Sequence, residues 1–181
     1  MRKKLTSYLL TAFLLMTTLS GCAGGTGESS GDNSSKEPTY GGSVVVGIQQ
    51  DIDSLDPHKA TAAGTKEILF NIFEGLVKAD ENGNLINAVA SDYSISDDGL
   101  VYTFTLRDNI KFHNGNLVTV EDVKYSLERA SGLLDGTALV SALSTIQKVD
   151  IVDNKTVQVT VGSANTELIY SFVAAIIPKG S

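Results

Sequence analysis

Cysteine and histidine are almost missing from this chain of 181 residues, which holds one of the first and two of the second, with no tryptophan and three prolines. A disulfide framework needs at least two cysteines, and a zinc site takes three or four ligands from Cys, His and carboxylates, so neither is expected within this chain. Basic residues are also short, 14 against 21 acidic ones, for a net charge of -7. With no basic surplus to neutralise a phosphate backbone, nucleic acid is not expected as a partner. A nucleophile elbow, a phosphate loop, a dinucleotide glycine fingerprint and a two-histidine metalloprotease helix are all lacking, so the chain reads as no enzyme and no cofactor is implied. Sequence spacing does not show whether carboxylates pair across space for acid-base work. What is present is 42% apolar against 19% charged residues, enough to bury a core and too apolar for a disordered tail.

The first 42 residues divide in two. Arg2, Lys3 and Lys4 precede an apolar run from Leu5 to Leu19, the pattern of a signal peptide over residues 1–21. About 15 residues at ~1.5 Å rise cover roughly 22 Å, short of the ~30 Å hydrocarbon core a spanning helix must cross. The run ends at Leu19-Ser20-Gly21-Cys22, which resembles the lipobox of bacterial lipoproteins, and the only cysteine sits there. Lipidation at Cys22, with palmitate among the acyl chains, is therefore expected to hold the chain on a membrane without spanning it. Removing residues 1–21 leaves 11 basic side chains against 21 acidic, a charge of -10, so attachment has to come from the acyl chains and not from a polybasic patch. Residues 22–42 read as the lipidated cysteine and a flexible linker. Its four Gly and four Ser between Ala23 and Tyr40 suit a random coil averaging roughly 23 Å end to end.

Past the linker the pattern changes to that of a folded domain. Ser43-Val44-Val45-Val46-Gly47-Ile48-Gln49 predicts a strand buried on both faces. Ile68, Leu69, Ile72, Phe73 and Leu76 share one helical face from Thr65 onward, with Gly75 at the expected C-terminal cap. Leu76 to Lys78 and Leu85-Ile86 flank Glu81-Asn82-Gly83-Asn84 as a short hairpin. Tyr102, Phe104 and Leu106 alternate with Val101, Thr103 and Thr105 as a strand after the turn at Asp97-Asp98-Gly99, and a second turn stands at His113-Asn114-Gly115-Asn116. Thr119 with Asp122 three residues on predicts a capped helix whose stripe is Val120, Val123, Leu127 and Ala130. Ile146 to Val152 and Thr156 to Val161 predict a second hairpin, and Glu167 to Ile177 a short helical or mixed segment. The sum is an α+β arrangement rather than a run of βαβ units. No closing element follows Pro178-Lys179-Gly180-Ser181, so a piece of a longer chain is expected.

Three kinds of residue invite a functional reading. Asp51, Asp53 and Asp56 fail as a calcium loop, because Asp56 and Ala62 stand where the twelve-residue loop needs Gly and Glu; turn chemistry accounts for them. His58 follows Asp56-Pro57 and His113 sits in a turn, and both read as loop residues. Arg107 and Asp122 are candidates for a structural ion pair.

Several landmarks in order resemble those of solute-binding protein family 5, the oligopeptide- and dipeptide-binding class of ABC importers. They are Leu55-Asp56-Pro57, Phe73-Glu74-Gly75-Leu76-Val77 with Asp80, Tyr102-Thr103-Phe104-Thr105-Leu106-Arg107, Lys111-Phe112-His113-Asn114-Gly115, Glu121-Asp122-Val123 and Ile176-Ile177-Pro178-Lys179. Two departures, Tyr93 where the family often has Trp and Val120 where it often has Ala, look like packing variations. The resemblance implies an α/β fold of periplasmic-binding-protein type II-like form, two lobes closing on a solute, here incomplete. It implies that residues 43–73 open lobe I, 74–161 form a small inserted domain and 162–181 return to lobe I. Thr61, Ala62 and Ala63 match a cleft-lining stretch whose backbone pairs with an extended peptide. The implied role is a lipid-anchored receptor facing outside the cytoplasm that captures a peptide for ABC permease subunits. A nickel complex, haem or a sugar as the solute, or a surface lipoprotein without a transport role, are the alternatives.

Overall fold

A computed structural model describes residues 41–49 and 51–181. The basic start, the apolar run, Cys22 and nearly all of the linker lie outside the described residues. Val46–Ser181 form one compact unit.

The chain enters that unit through an irregular stretch and a turn, then forms α1 (Ala63–Phe70). A small hairpin follows, β1 (Val77–Ala79) with β2 (Leu85–Asn87). The main sheet is built from β3 (Ala90–Ile95), β4 (Val101–Leu106), β5 (Ile146–Ile151) and β6 (Thr156–Val161), antiparallel throughout in the order β3-β4-β6-β5. Between β4 and β5 lies α2 (Val120–Ser131), and 3₁₀ turns occupy Ser141–Leu143 and Leu168–Val173. This is the α+β arrangement the hairpin-rich sequence predicts.

The core follows from period-two alternation. Tyr102, Phe104 and Leu106 on β4 and Val157, Val159 and Val161 on β6 are buried, while the residues between them are only half-buried. The register sets Tyr102 opposite Val159 and Phe104 opposite Val157. α2 lays Val123, Leu127 and Ala130 on β5 and β6. Its start is the predicted capping box: the Thr119 hydroxyl and the Asp122 amide lie 3.3 Å apart, and the Asp122 carboxylate accepts the Thr119 N–H at 2.9 Å. It ends at Gly132 in the left-handed conformation. The C-terminal segment is zipped onto the same helix, for Asp122 accepts the Lys179 N–H at 2.8 Å and the Ser126 hydroxyl accepts that of Ile177 at 2.9 Å.

Four expectations are corrected. Ser43 to Gln49 form no strand, and Val44, Val45 and Val46 are 87%, 97% and 74% exposed. β-branched side chains favour extended backbone, but a strand also needs a neighbouring edge for its N–H and C=O groups, and among the described residues none pairs with it. α1 stops at Phe70, so Ile72 and Phe73 follow the helix rather than belong to it. Its C-cap is Asn71, whereas Gly75 is buried against the Phe172 carbonyl. Arg107 does not pair with Asp122: it donates to the Asn87 carbonyl at 2.6 Å, while both Asp122 oxygens serve the cap and Lys179.

Candidate functional site

The predicted contact residues Thr61, Ala62 and Ala63 lead into α1. Ala62 is the N-cap and has no side-chain oxygen to offer, so α1 starts without a side-chain cap, and the approach to it is held instead by Asp53. Asp53 Oδ2 accepts the Thr61 N–H at 2.7 Å, the Thr61 hydroxyl at 2.7 Å and the Ala62 N–H at 2.9 Å. The Asp53 amide in turn donates to the Thr65 hydroxyl at 3.2 Å. These hydrogen bonds, the Thr61 hydroxyl first, hold the Asp53 carboxyl well below the usual carboxylate range.

The loop presents an exposed Thr61, a half-buried Ala62 and an exposed Ala63. Two of its three N–H groups are therefore already committed, and the Ala62 carbonyl accepts the Lys66 N–H. Among the described residues the Thr61 carbonyl and the Ala63 N–H have no such partner, and these are the groups left to meet an incoming backbone.

Just upstream of this loop, at Asp56 and His58, the chain joins a polar cluster that the sequence does not disclose. Asp56 caps its own turn by accepting the His58 N–H at 3.0 Å, the turn chemistry expected of it. Its two oxygens also receive Arg129, at 3.1 Å and 2.5 Å, in a bidentate pair. Arg129 reaches His58 Nδ1 at 2.8 Å, and His58 Nε2 lies 2.8 Å from the Ala175 carbonyl. Arg129 holds the Asp56 carboxyl below its ordinary value. Burial lowers the affinity of the His58 ring for a proton. His58 is thus buried and doubly bonded, whereas His113 is the exposed turn residue predicted. Arg129 carried no local signal, because its partners lie 71 and 73 residues away.

Two clefts of about 450 Å³ each open on the surface. One is lined by Phe73, Ile110, Phe112, Ile176 and Pro178, with Glu74, Lys111 and His113 also at its walls. The other is lined by Pro57, His58, Phe70, Leu139, Val173 and Ala175. Among the described residues no three His, Cys, Asp or Glu side chains gather as a metal site, and no helix is long and apolar enough to cross a membrane.

Residues 84–180, from the β1–β2 hairpin to the zipped C-terminal segment, match the family described as bacterial extracellular solute-binding proteins, family 5 Middle. The chain belongs to this family. Its members are binding components and not enzymes. Among curated relatives, the glutathione-binding protein GsiB of Pectobacterium atrosepticum is 33% identical over 117 residues, 65% of this chain and 23% of the relative. NikZ from Campylobacter jejuni, solved with Ni(L-His), superposes with a TM-score of 0.64 at 26% identity, covering 72% of this chain and 26% of its own. The murein tripeptide binding protein MppA of Escherichia coli does so with a TM-score of 0.62 at 28% identity, over 70% of this chain and 28% of its own. The chain thus spans about a quarter of the length of the relatives it matches, and its helix-and-sheet arrangement is an incomplete α/β two-lobe fold.

Proposed function

We propose that this chain is the N-terminal part of a lipid-anchored receptor on the outer side of the cell membrane, which captures peptides and passes them to the permease subunits of an ABC importer. The observation that carries this reading is the family match over 84–180 standing behind a lipobox-like Leu19-Ser20-Gly21-Cys22. In this reading residues 43–73 open the first lobe, 74–161 form the small inserted domain and 162–181 return to the lobe. Thr61, Ala62 and Ala63 line one wall of the cleft. The Thr61 carbonyl and Ala63 N–H, without a partner among the described residues, support that role, since main-chain groups recognise a peptide whatever its side chains.

Two measurements test it. Metabolic labelling with palmitate is expected to tag the membrane-bound protein and to leave the Cys22→Ser variant unlabelled and released; a labelled variant removes the anchor. The full-length gene product should melt higher with glutathione or with members of a short-peptide library. Mass action sets the gain at about 2.7 kcal/mol when ligand stands at about one hundred times Kd. A shift with nickel-histidine, haem or a sugar instead would move the cargo to another solute on the same scaffold. No shift with any of these would leave a surface lipoprotein without transport.

A further inference from the structure

The cluster of Asp56, His58 and Arg129 joins three separated stretches of chain. Asp56 and His58 come from the turn before α1, Arg129 from the last turn of α2, and Ala175 from the C-terminal segment. Each bond fixes the next. A guanidinium has only donors, so His58 Nδ1 at 2.8 Å must accept. The ring proton then sits on Nε2, where it is donated to the Ala175 carbonyl at 2.8 Å. Only the neutral imidazole satisfies both partners, because a protonated ring would turn a second N–H toward the Arg129 guanidinium.

Three residues after His58, the chain enters Thr61 to Ala63. We propose that Arg129 and His58 are positioning residues for the Thr61–Ala63 loop, closing with Asp56 and the Ala175 carbonyl a latch that opens on acidification. The solute-related part of this rests on the function proposed above; the latch itself does not.

The charged and titratable groups around the ring favour a latch that is shut at neutral pH. Asp56 faces it from its own turn, with Lys59 lying 3.7 Å from the same carboxylate. Arg129 faces it from α2, backed by Tyr125 and by Asp135 beyond the helix end. Lys66 of α1 stands in the cleft that His58 also lines. Burial, with Arg129 behind it, outweighs the Ala175 carbonyl and Asp56 and holds the ring below its ordinary 6.5. The unfolded chain therefore takes up the proton first as pH falls. The latch contributes its full stability above about 6.5 and loses it as pH drops through the folded value.

Amide hydrogen exchange of the full chain, followed by NMR without any solute, tests this. Expressed as protection factors, Thr61 and Ala62 should lose on the order of tenfold between about pH 7 and about pH 5, while Phe104 in β4 keeps its protection. Asp53 is not the cause of such a loss, because its carboxylate stays ionised across that range. His58→Asn retains an acceptor oxygen but cannot titrate, and its loop should show no pH dependence. Arg129→Lys keeps the charge without the fork and should loosen the loop at both pH values.

An equal acid-induced loss in His58→Asn would overturn the latch. So would an imidazole nitrogen spectrum of the unsubstituted chain with the proton on Nδ1, or titrating at or above 6.5. That spectrum decides the matter alone if His58→Asn does not fold. Since no solute enters either measurement, failed peptide capture leaves the latch standing, and a flat exchange profile leaves capture standing.

Discussion

Replacing Phe172 by alanine is expected to cost about 3–5 kcal/mol, the range for emptying a buried aromatic site. Phe172 is fully buried, its ring centroid 4.8 Å from that of Phe104 and 5.4 Å from that of Tyr102, so it joins the 3₁₀ turn to the centre of the sheet. The tilted ring geometries add attraction beyond the area removed from water. A domain of this kind has about 5–15 kcal/mol in all, so one truncation would remove a large share and lower Tm by roughly 10 °C. Urea and thermal unfolding of Phe172→Ala measure it, with Tyr170→Ala as the control. Tyr170 lies two residues away but is 52% exposed, and its truncation should stay within about 0.5 kcal/mol. Equal losses in the two variants would mean that the turn does not fill the core.

Gly75→Ala should be nearly as damaging for a different reason. Gly75 needs no left-handed backbone, yet an added Cβ would lie 2.4 Å from the Phe172 carbonyl oxygen and 2.5 Å from the Val173 carbonyl carbon. Those are backbone atoms held in place, since Phe172 accepts the Leu76 N–H at 2.9 Å and Glu74 accepts that of Ile176 at 2.8 Å. Room for a methyl group can come only from parting the two segments, at about 3 kcal/mol or more. Gly83→Ala is the counterpart: φ is 80° and nothing lies within 4 Å, so only the left-handed conformation opposes it, at about 1–2 kcal/mol. A Gly75→Ala protein as stable as the parent by chemical denaturation would rule out the close approach.

Much of the fold is legible without coordinates. Tyr102, Phe104 and Leu106 announce β4 because alternation is a property of the strand itself. Thr119 and Asp122 announce α2 because a capping box closes within one turn. β3 carries no such signal: Ala-Ser-Asp-Tyr-Ser-Ile is polar at three of its six positions, out of step with alternation, as an edge strand with an exposed face is free to be. Ser43 to Gln49 is the opposite case, a β-branched run that forms no strand, since strong β propensity cannot supply a partner. At the site, Asp53 and Asp56 were readable as turn formers, and Thr61 to Ala63 entered only through family resemblance. The commitment of two of their N–H groups to Asp53 is not readable, because a carboxylate eight and nine residues upstream reaches them only if the intervening turn folds back.

The sequence by itself determined the elements whose hydrogen bonds and side-chain alternation close within a few residues, together with the ordered landmarks of the solute-binding family. Tertiary structure alone decided that Gly75 is a contact point instead of a helix cap, and that His58, in the turn expected of it, is buried with partners at both ring nitrogens. The reason is range. His58 meets Arg129 and Ala175 across 71 and 117 residues, and such a meeting depends on the packing of the whole sheet and helix, which no local pattern encodes.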